Sequence, residues 1–203
     1  MAIVTPTIKG YPVLEANVLK ARRTGRIWSQ YELDETSFST GKAFNGMILA
    51  VDDVKKCVKF PSVNASATTG ADDVYALHFS VEAEYEHKGL NTFAVAREKV
   101  DNEPNVSVHY PRMFELSVGD VLTTNCVKLD GTHVTAVEGA TTNTSLEYMV
   151  NGTTTTPVYG GIDTSGYIML DTVKPKVGPV MKVVAQNTLP NGEWAVKLAV
   201  VKA

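Results

Sequence analysis

Cysteine is nearly absent from this chain. Cys57 and Cys126 are the only two in 203 residues, and each is flanked by strand-like neighbours. Two are too few for a disulfide framework, so buried free thiols in a reducing compartment are expected. Long apolar runs are missing as well, and nothing approaches the roughly 18 residues of a membrane-spanning helix. The start, Met1-Ala2-Ile3-Val4-Thr5-Pro6, has no basic stretch followed by an apolar one, so no signal peptide is expected. A basic excess is lacking too. The net charge is −3 and the pI about 5.8, which argues against a broad grip on nucleic acid.

Motifs that carry chemistry are also missing. There is no G-x-S-x-G elbow, no G-x-G-x-x-G or G-K-[ST] nucleotide loop, and no C-x-x-C, H-x-x-x-H or EF-hand pattern. Gly160-Gly161 follows a strand-like run but opens no helix, so it does not form a dinucleotide turn. The four histidines, His78, His87, His109 and His133, are scattered. His78 and His109 fall on the polar side of alternating runs and are expected in water. Asp52-Asp53 and Asp72-Asp73 could offer oxygens to calcium, but paired acids in loops are expected as solvated turns. Glu82, Glu84 and Glu86 make an acidic stripe of the kind that discourages edge pairing. The expectation is a protein that is not an enzyme, with no cofactor and no metal.

What the chain does have is strand grammar. Val and Thr, stiff at χ1 and favoured in strands, make up roughly a quarter of it. Leu77, Phe79, Val81, Ala83 and Tyr85 alternate with polar residues, the period of a half-buried strand over 75–86. Gly46 to Val54 opens the strand pattern, and Asp52-Asp53 turns it into Lys56–Phe60. His87-Lys88-Gly89 turns the 75–86 strand into Asn91–Val95. Gly119-Asp120 separates two short strands. Asp130-Gly131 is a type I′ hairpin signal between Val127 and Val134. Val177–Ala185 and Trp194–Val201 face each other across Leu189-Pro190-Asn191-Gly192 as a hairpin at the C-terminal edge of the fold. About a dozen short strands result. The expected fold is mostly β, an antiparallel barrel or sandwich of short strands with an extended N-terminal arm and room for two β units. The divisions are an arm over 1–42, a β domain over 43–137, and a second unit or continuation over 138–203.

The first 42 residues differ from the rest. Pro6 and Pro12 interrupt regular structure, and no periodicity crosses the segment. It holds the only cationic cluster together with two aromatics. Arg22, Arg23, Arg26, Trp28 and Tyr31 are residue types enriched at interface cores, and they are the candidate partner-binding residues.

Polar arm, Val/Thr-rich body, the opening strand Gly46-Met47-Ile48-Leu49 and the turn Ser117-Val118-Gly119-Asp120-Val121-Leu122 together resemble capsid decoration (cement) proteins of tailed bacteriophages. The resemblance implies a virion structural protein made in the host cytoplasm and placed on the capsid surface. Its implied partner is the major capsid protein of a phage head, and its implied state is a homo-oligomer such as a trimer. Neither a membrane nor direct nucleic-acid contact is implied. The alternative is a carbohydrate-binding or adhesin-like β-sandwich in which Tyr148, Tyr159 or Tyr167 stacks on sugar rings. Tail-tube and head-fibre proteins share the composition.

Overall fold

The β-branched composition is realised as strands. The computed structural model describes residues 3–4, 14, 27–28, 30–38, 42–64, 74–79, 84–85, 91–92, 94–96, 110–130, 157–189 and 194–203. Among them are seventeen strands and no helix. In chain order they begin with β1 (Ile3–Val4), β2 (Ile27–Trp28), β3 (Glu32–Leu33), β4 (Lys42–Phe44), β5 (Ile48–Asp52) and β6 (Cys57–Lys59). Then come β7 (Val74–His78), β8 (Glu84–Tyr85), β9 (Asn91–Thr92), β10 (Ala94–Ala96), β11 (Met113–Glu115), β12 (Val121–Thr124) and β13 (Val127–Asp130). The last four are β14 (Tyr159–Ile162), β15 (Ile168–Asp171), β16 (Val180–Thr188) and β17 (Trp194–Lys202).

Two large sheets result. Seven strands run in the order β1-β13-β15-β14-β16-β17-β12, and six in the order β2-β11-β7-β5-β6-β3. Two pairings, β13 with β15 and β3 with β6, are parallel; the other ladders are antiparallel. Two small ladders, β8 with β9 and β10 with β4, complete the set. The fold is mostly β, as composition indicates. Strands from both sides of residue 138 hydrogen-bond within the seven-stranded sheet, since β12 pairs with β17 and β13 with β15.

The core is double. Ile48, Leu77 and Phe114 of the six-stranded sheet join Leu122, Leu129, Ile168, Leu170, Met181 and Leu198 of the seven-stranded sheet in one cluster. The opposite face of the six-stranded sheet, with Leu33, Leu49, Val51, Ala76 and Met113, packs with Tyr31, Phe38, Ala43 and Met47. The near-continuous apolar run of β5 follows from this, because both of its faces are buried.

This second cluster corrects the expected arm. Residues 31–38 are core, with Leu33 and Phe38 fully buried. Asp34 shapes the segment: its carboxylate accepts the Ser37 N–H and Oγ–H at 2.8 Å each, and its carbonyl accepts the Phe38 N–H at 2.9 Å. That turn aims the Phe38 ring at Phe60, 4.4 Å between centroids. An extended arm reaching to 42 therefore does not hold for this part. Leu14 is also buried, in the first cluster.

Two other expectations change. The described strand at 75–86 ends at His78, and the Phe79 N–H adds one further bond in the β11 register, to the Arg112 carbonyl at 2.9 Å. Glu84–Tyr85 pairs with Asn91–Thr92 in the expected hairpin sense. Two short strands, β11 and β12, flank Gly119-Asp120 as expected; β11 belongs to one sheet and β12 to the other, so the chain changes sheet there. Asp120 fixes the crossing by accepting the Ser117 N–H at 2.7 Å, while the Val200 N–H bonds its carbonyl. The C-terminal hairpin β16–β17 forms as expected but lies inside its sheet, with β12 at the margin. Val184 and Val201 fall at the two register shifts of this ladder, and both are exposed. The second half of the 127–134 hairpin and His109 lie outside the described residues.

Candidate functional site

The strongest surface grouping forms where β3 lies along β6. The turn after β5 projects here, with Val54 93% exposed. Asp52 closes the turn by accepting the Val54 and Lys55 N–H groups at 3.1 and 3.0 Å. Beside it the Tyr31 hydroxyl donates to Asp53 Oδ1. Lys56 Nζ lies 3.4 Å from the same carboxylate oxygen and 5.4 Å from the centre of the Tyr31 ring. The bond from Tyr31 holds the Asp53 carboxyl below its usual value, and the same bond raises the Tyr31 hydroxyl. On the same edge, the exposed Tyr110 donates to Glu32 Oε1 at 3.3 Å. The result is an exposed turn with an apolar tip and two polar groupings on the same margin, Asp53 and Lys56 on the Tyr31 hydroxyl and Tyr110 on Glu32. It can make directional polar contacts around a small buried spot, the usual anatomy of a protein interface.

The partner residues expected from sequence are distributed unevenly. Tyr31 belongs to this margin through its hydroxyl but turns its ring into the second cluster, at 9% exposure. Trp28 stands in β2, opposite Met113. Arg22, Arg23 and Arg26 lie outside the described residues. Sequence reading missed Asp53, Lys56 and Tyr110 as companions of Tyr31. The parallel β3–β6 pairing brings Asp53 and Lys56 beside Tyr31, while Tyr110 reaches the neighbouring Glu32, and no local pattern announces a parallel ladder between strands this short.

A second polar knot lies at the β14–β15 turn. Lys128 Nζ is 3.1 Å from Asp163 Oδ2, with side-chain exposures of 17% and 3%. Ser165 Oγ donates to the same oxygen and accepts from Lys128. Burial pushes the Asp163 carboxyl up, but the bonds from Ser165 and Lys128 outweigh it and hold it below its usual value. This neutralises a buried carboxylate and pins a turn whose Gly166 carbonyl accepts the Ile48 N–H at 2.8 Å. Lys128 Nζ also lies 5.0 Å over the Tyr167 ring, which is partly buried beside the second cluster. Of the other tyrosines weighed for sugar stacking, Tyr159 is half-buried between Asp171 and Lys182 on the sheet, and Tyr148 lies outside the described residues.

His78 contradicts its sequence reading outright. It is fully buried. Alternation assigns it to a polar face, yet that face of β7 is the one covered by the second cluster: His78 stands directly opposite Met113. Nδ1 lies 2.9 Å from the Phe44 carbonyl, to which the neutral ring donates. Burial lowers its pKa to about 4, only partly opposed by that bond. The unfolded ring takes its proton near the ordinary value of 6.5. Stability from this group is therefore complete above pH 6.5 and is lost as pH falls towards 4. The loss expected over that window is about 3 kcal/mol. Urea midpoints at pH 7.5 and 4.5 check it: His78→Asn, which keeps a neutral donor for Phe44, should flatten the difference. An unchanged pH slope in that variant would refute the assignment.

Both cysteines are free and buried, as expected. Burial raises each thiol, most strongly Cys126, so neither is an activated nucleophile. Asp52 accepts the N–H groups of its turn and Asp53 the side chains of Tyr31 and Lys56, while Asp72-Asp73 and the stripe positions 82 and 86 lie outside the described residues. Among the described residues, no three His, Cys, Asp or Glu side chains gather as a metal would need. No described helix is long and apolar enough to cross a membrane, which says nothing of a β-barrel. Comparison of the chain with family models, curated proteins and solved structures finds no match in any of the three.

Proposed function

We propose that this chain is a structural interaction protein of a virion. It decorates a phage head and stabilises it by binding junctions between capsid subunits, chiefly the major capsid protein. The observation that carries the reading is the margin that bears the exposed Val54 turn and two polar groupings, Tyr31 with Asp53 and Lys56 and Tyr110 with Glu32, where the N-terminal segment joins the body. Those are residue types that dock onto another polypeptide, and Trp28 stands in the strand just upstream. The resemblance to cement proteins supplies the class of partner. The mechanism is additive. Each copy binds the assembled shell and not its dissociated parts, so occupancy shifts the balance towards the shell by mass action.

Electron cryomicroscopy of heads assembled in cells that make the full chain tests this. Density for the β body is expected at subunit junctions. Val54→Asp with Tyr110→Ala should lower its occupancy while shifting the unfolding free energy of the isolated chain by only about 0.5 kcal/mol each. Heads bare of the protein, or equal occupancy of the variant, would defeat the proposal.

A further inference from the structure

The knot at the β14–β15 turn holds an amine against a carboxyl group in a nearly closed place. Lys128 projects from β13, and Asp163 and Ser165 come from the turn that follows β14. Three donors converge on one oxygen, Asp163 Oδ2: Lys128 Nζ at 3.1 Å, the Ser165 N–H at 3.0 Å and the Ser165 hydroxyl. Lys128 Nζ also donates to Ser165 Oγ. The carboxyl carbon is one bond from Oδ2, so it too lies against the amine. Little solvent reaches the pair, since the Asp163 side chain is 3% exposed and the Tyr167 ring lies 5.0 Å from Nζ.

Two charges withdrawn from water carry a desolvation penalty that their attraction only partly offsets. An amide bond between Nζ and Cγ removes both charges at once. Ser165 supplies the route to it. As a Lys128 proton passes to Ser165 Oγ, the Ser165 hydroxyl proton passes to Asp163 Oδ2. A neutral amine then stands beside a neutral acid, and the net charge of the pair is unchanged. The ionised resting state of Asp163 is therefore no obstacle, because the proton moves within the knot and is not drawn from solvent.

We propose that Lys128 and Asp163 join in an intramolecular isopeptide bond, with Ser165 as the proton relay. The Nζ lone pair attacks Cγ, and the carbonyl electron pair moves onto Oδ1. Collapse restores that carbonyl and breaks the bond from Cγ to Oδ2. Oδ2 leaves as water with the relayed proton and a second one from Nζ. Of the three ammonium protons, one stays on the amide and two leave in the water, so no oxidant, reductant or cofactor is needed. The bond ties β13 to the turn that leads into β15, beside the three-pair parallel ladder between those strands. Parallel ladders hold slightly less well per residue than antiparallel ones, and covalent closure between positions 128 and 163 keeps this one from peeling. The bond goes beyond the capsid reading and does not depend on it.

Mass spectrometry of the full chain, purified and then unfolded, tests it. The expected mass is below that of the sequence by one water, and a tryptic digest should hold a branched peptide joining the Lys128 and Asp163 segments. Lys128→Arg keeps the cation but offers no amine, and should show its full sequence mass. Asp130-Gly131 can also lose one water, by closing to a succinimide, so this control is needed. Ser165→Ala should slow closure about a hundredfold, leaving a mostly linear product. Ser165→Thr, which keeps the hydroxyl, should close. Three results would each overturn the bond: full sequence mass in the unaltered chain, a water loss that persists in Lys128→Arg, or a digest without the branched peptide. Closure of Ser165→Ala as fast as that of the unaltered chain would overturn the relay. No phage head enters these measurements, so the bond and the capsid reading fail independently.

Discussion

Replacing Phe38 with alanine is expected to cost about 3–5 kcal/mol, lowering the thermal midpoint by roughly 10 °C for a chain of this size. The ring is fully buried and lies 4.4 Å from that of Phe60, tilted by 41°. Around it stand Leu33, Met47, Leu49, Val51 and Val58. Truncation at Cβ removes a ring's worth of apolar area from a site walled by strands on one side. The hydrogen-bonded turn of Asp34 and Ser37 holds the backbone in place, so the surroundings cannot close over the space. The measurement is urea or thermal unfolding, with Phe38→Leu as the volume-sparing control at a third or less of the loss. A change below about 1 kcal/mol for Phe38→Ala would mean that 31–38 hangs loosely on the body, as an arm would. The same burial rules out a 40-residue deletion as a test of arm function. Such a cut removes Tyr31, Leu33 and Phe38 from the second cluster and confounds lost docking with lost folding.

That segment also shows what sequence patterns convey here. Residues 77 and 79 alternate with polar neighbours, and the alternation announces a strand with distinguishable faces. It does not announce what lies over each face. The second cover comes from residues 31–38, more than thirty positions upstream, where the other five residues are polar or charged and only Tyr31, Leu33 and Phe38 are large and apolar. Hence His78 reads as solvated and is buried. Turn chemistry is equally legible and equally partial. Gly119-Asp120 marks a reversal in sequence, but whether the next strand returns to the same sheet depends on the Val200 ladder eighty residues away. The two nine-residue strands β16 and β17 were legible as a pair because their contact is local; their place inside the sheet was not, because β12 comes from the middle of the chain. The candidate interface follows the same rule. Tyr31 stands out by type, while Asp53 and Lys56 join it only through a parallel ladder between short strands.

Gly46→Ala is expected to be the most damaging glycine-to-alanine change among the described residues, at about 2–5 kcal/mol. Gly46 has φ of +92°, in the region that side chains other than glycine's rarely occupy. Its N–H bonds the His78 carbonyl at 2.9 Å, and the His78 N–H returns a bond to the neighbouring Met47 carbonyl at 2.8 Å. These two bonds lock the turn to β7, so the backbone cannot rotate to a relaxed conformation without breaking a buried pair. Space is closed as well as conformation. A Cβ at this position would stand 2.6 Å from Thr124 Oγ1 and 2.8 Å from Cys126 Cβ. Thr124 cannot swing away freely, because its Oγ1 accepts the buried Cys126 N–H at 2.9 Å. Gly46 is thus the point where the six-stranded sheet touches the β12–β13 corner of the seven-stranded one, and a methyl there pries at both. The check is a comparison with Gly166→Ala. Gly166 is also at positive φ, +82°, but its nearest neighbours are the ends of Leu49, Phe60 and Met47 at 3.3–3.4 Å. Those flexible tips can yield by a few tenths of an ångström, so the loss there should be the conformational part alone, about 1–2 kcal/mol. Equal unfolding midpoints for the two variants would show that the contact between the sheets at Gly46 is looser than these distances require.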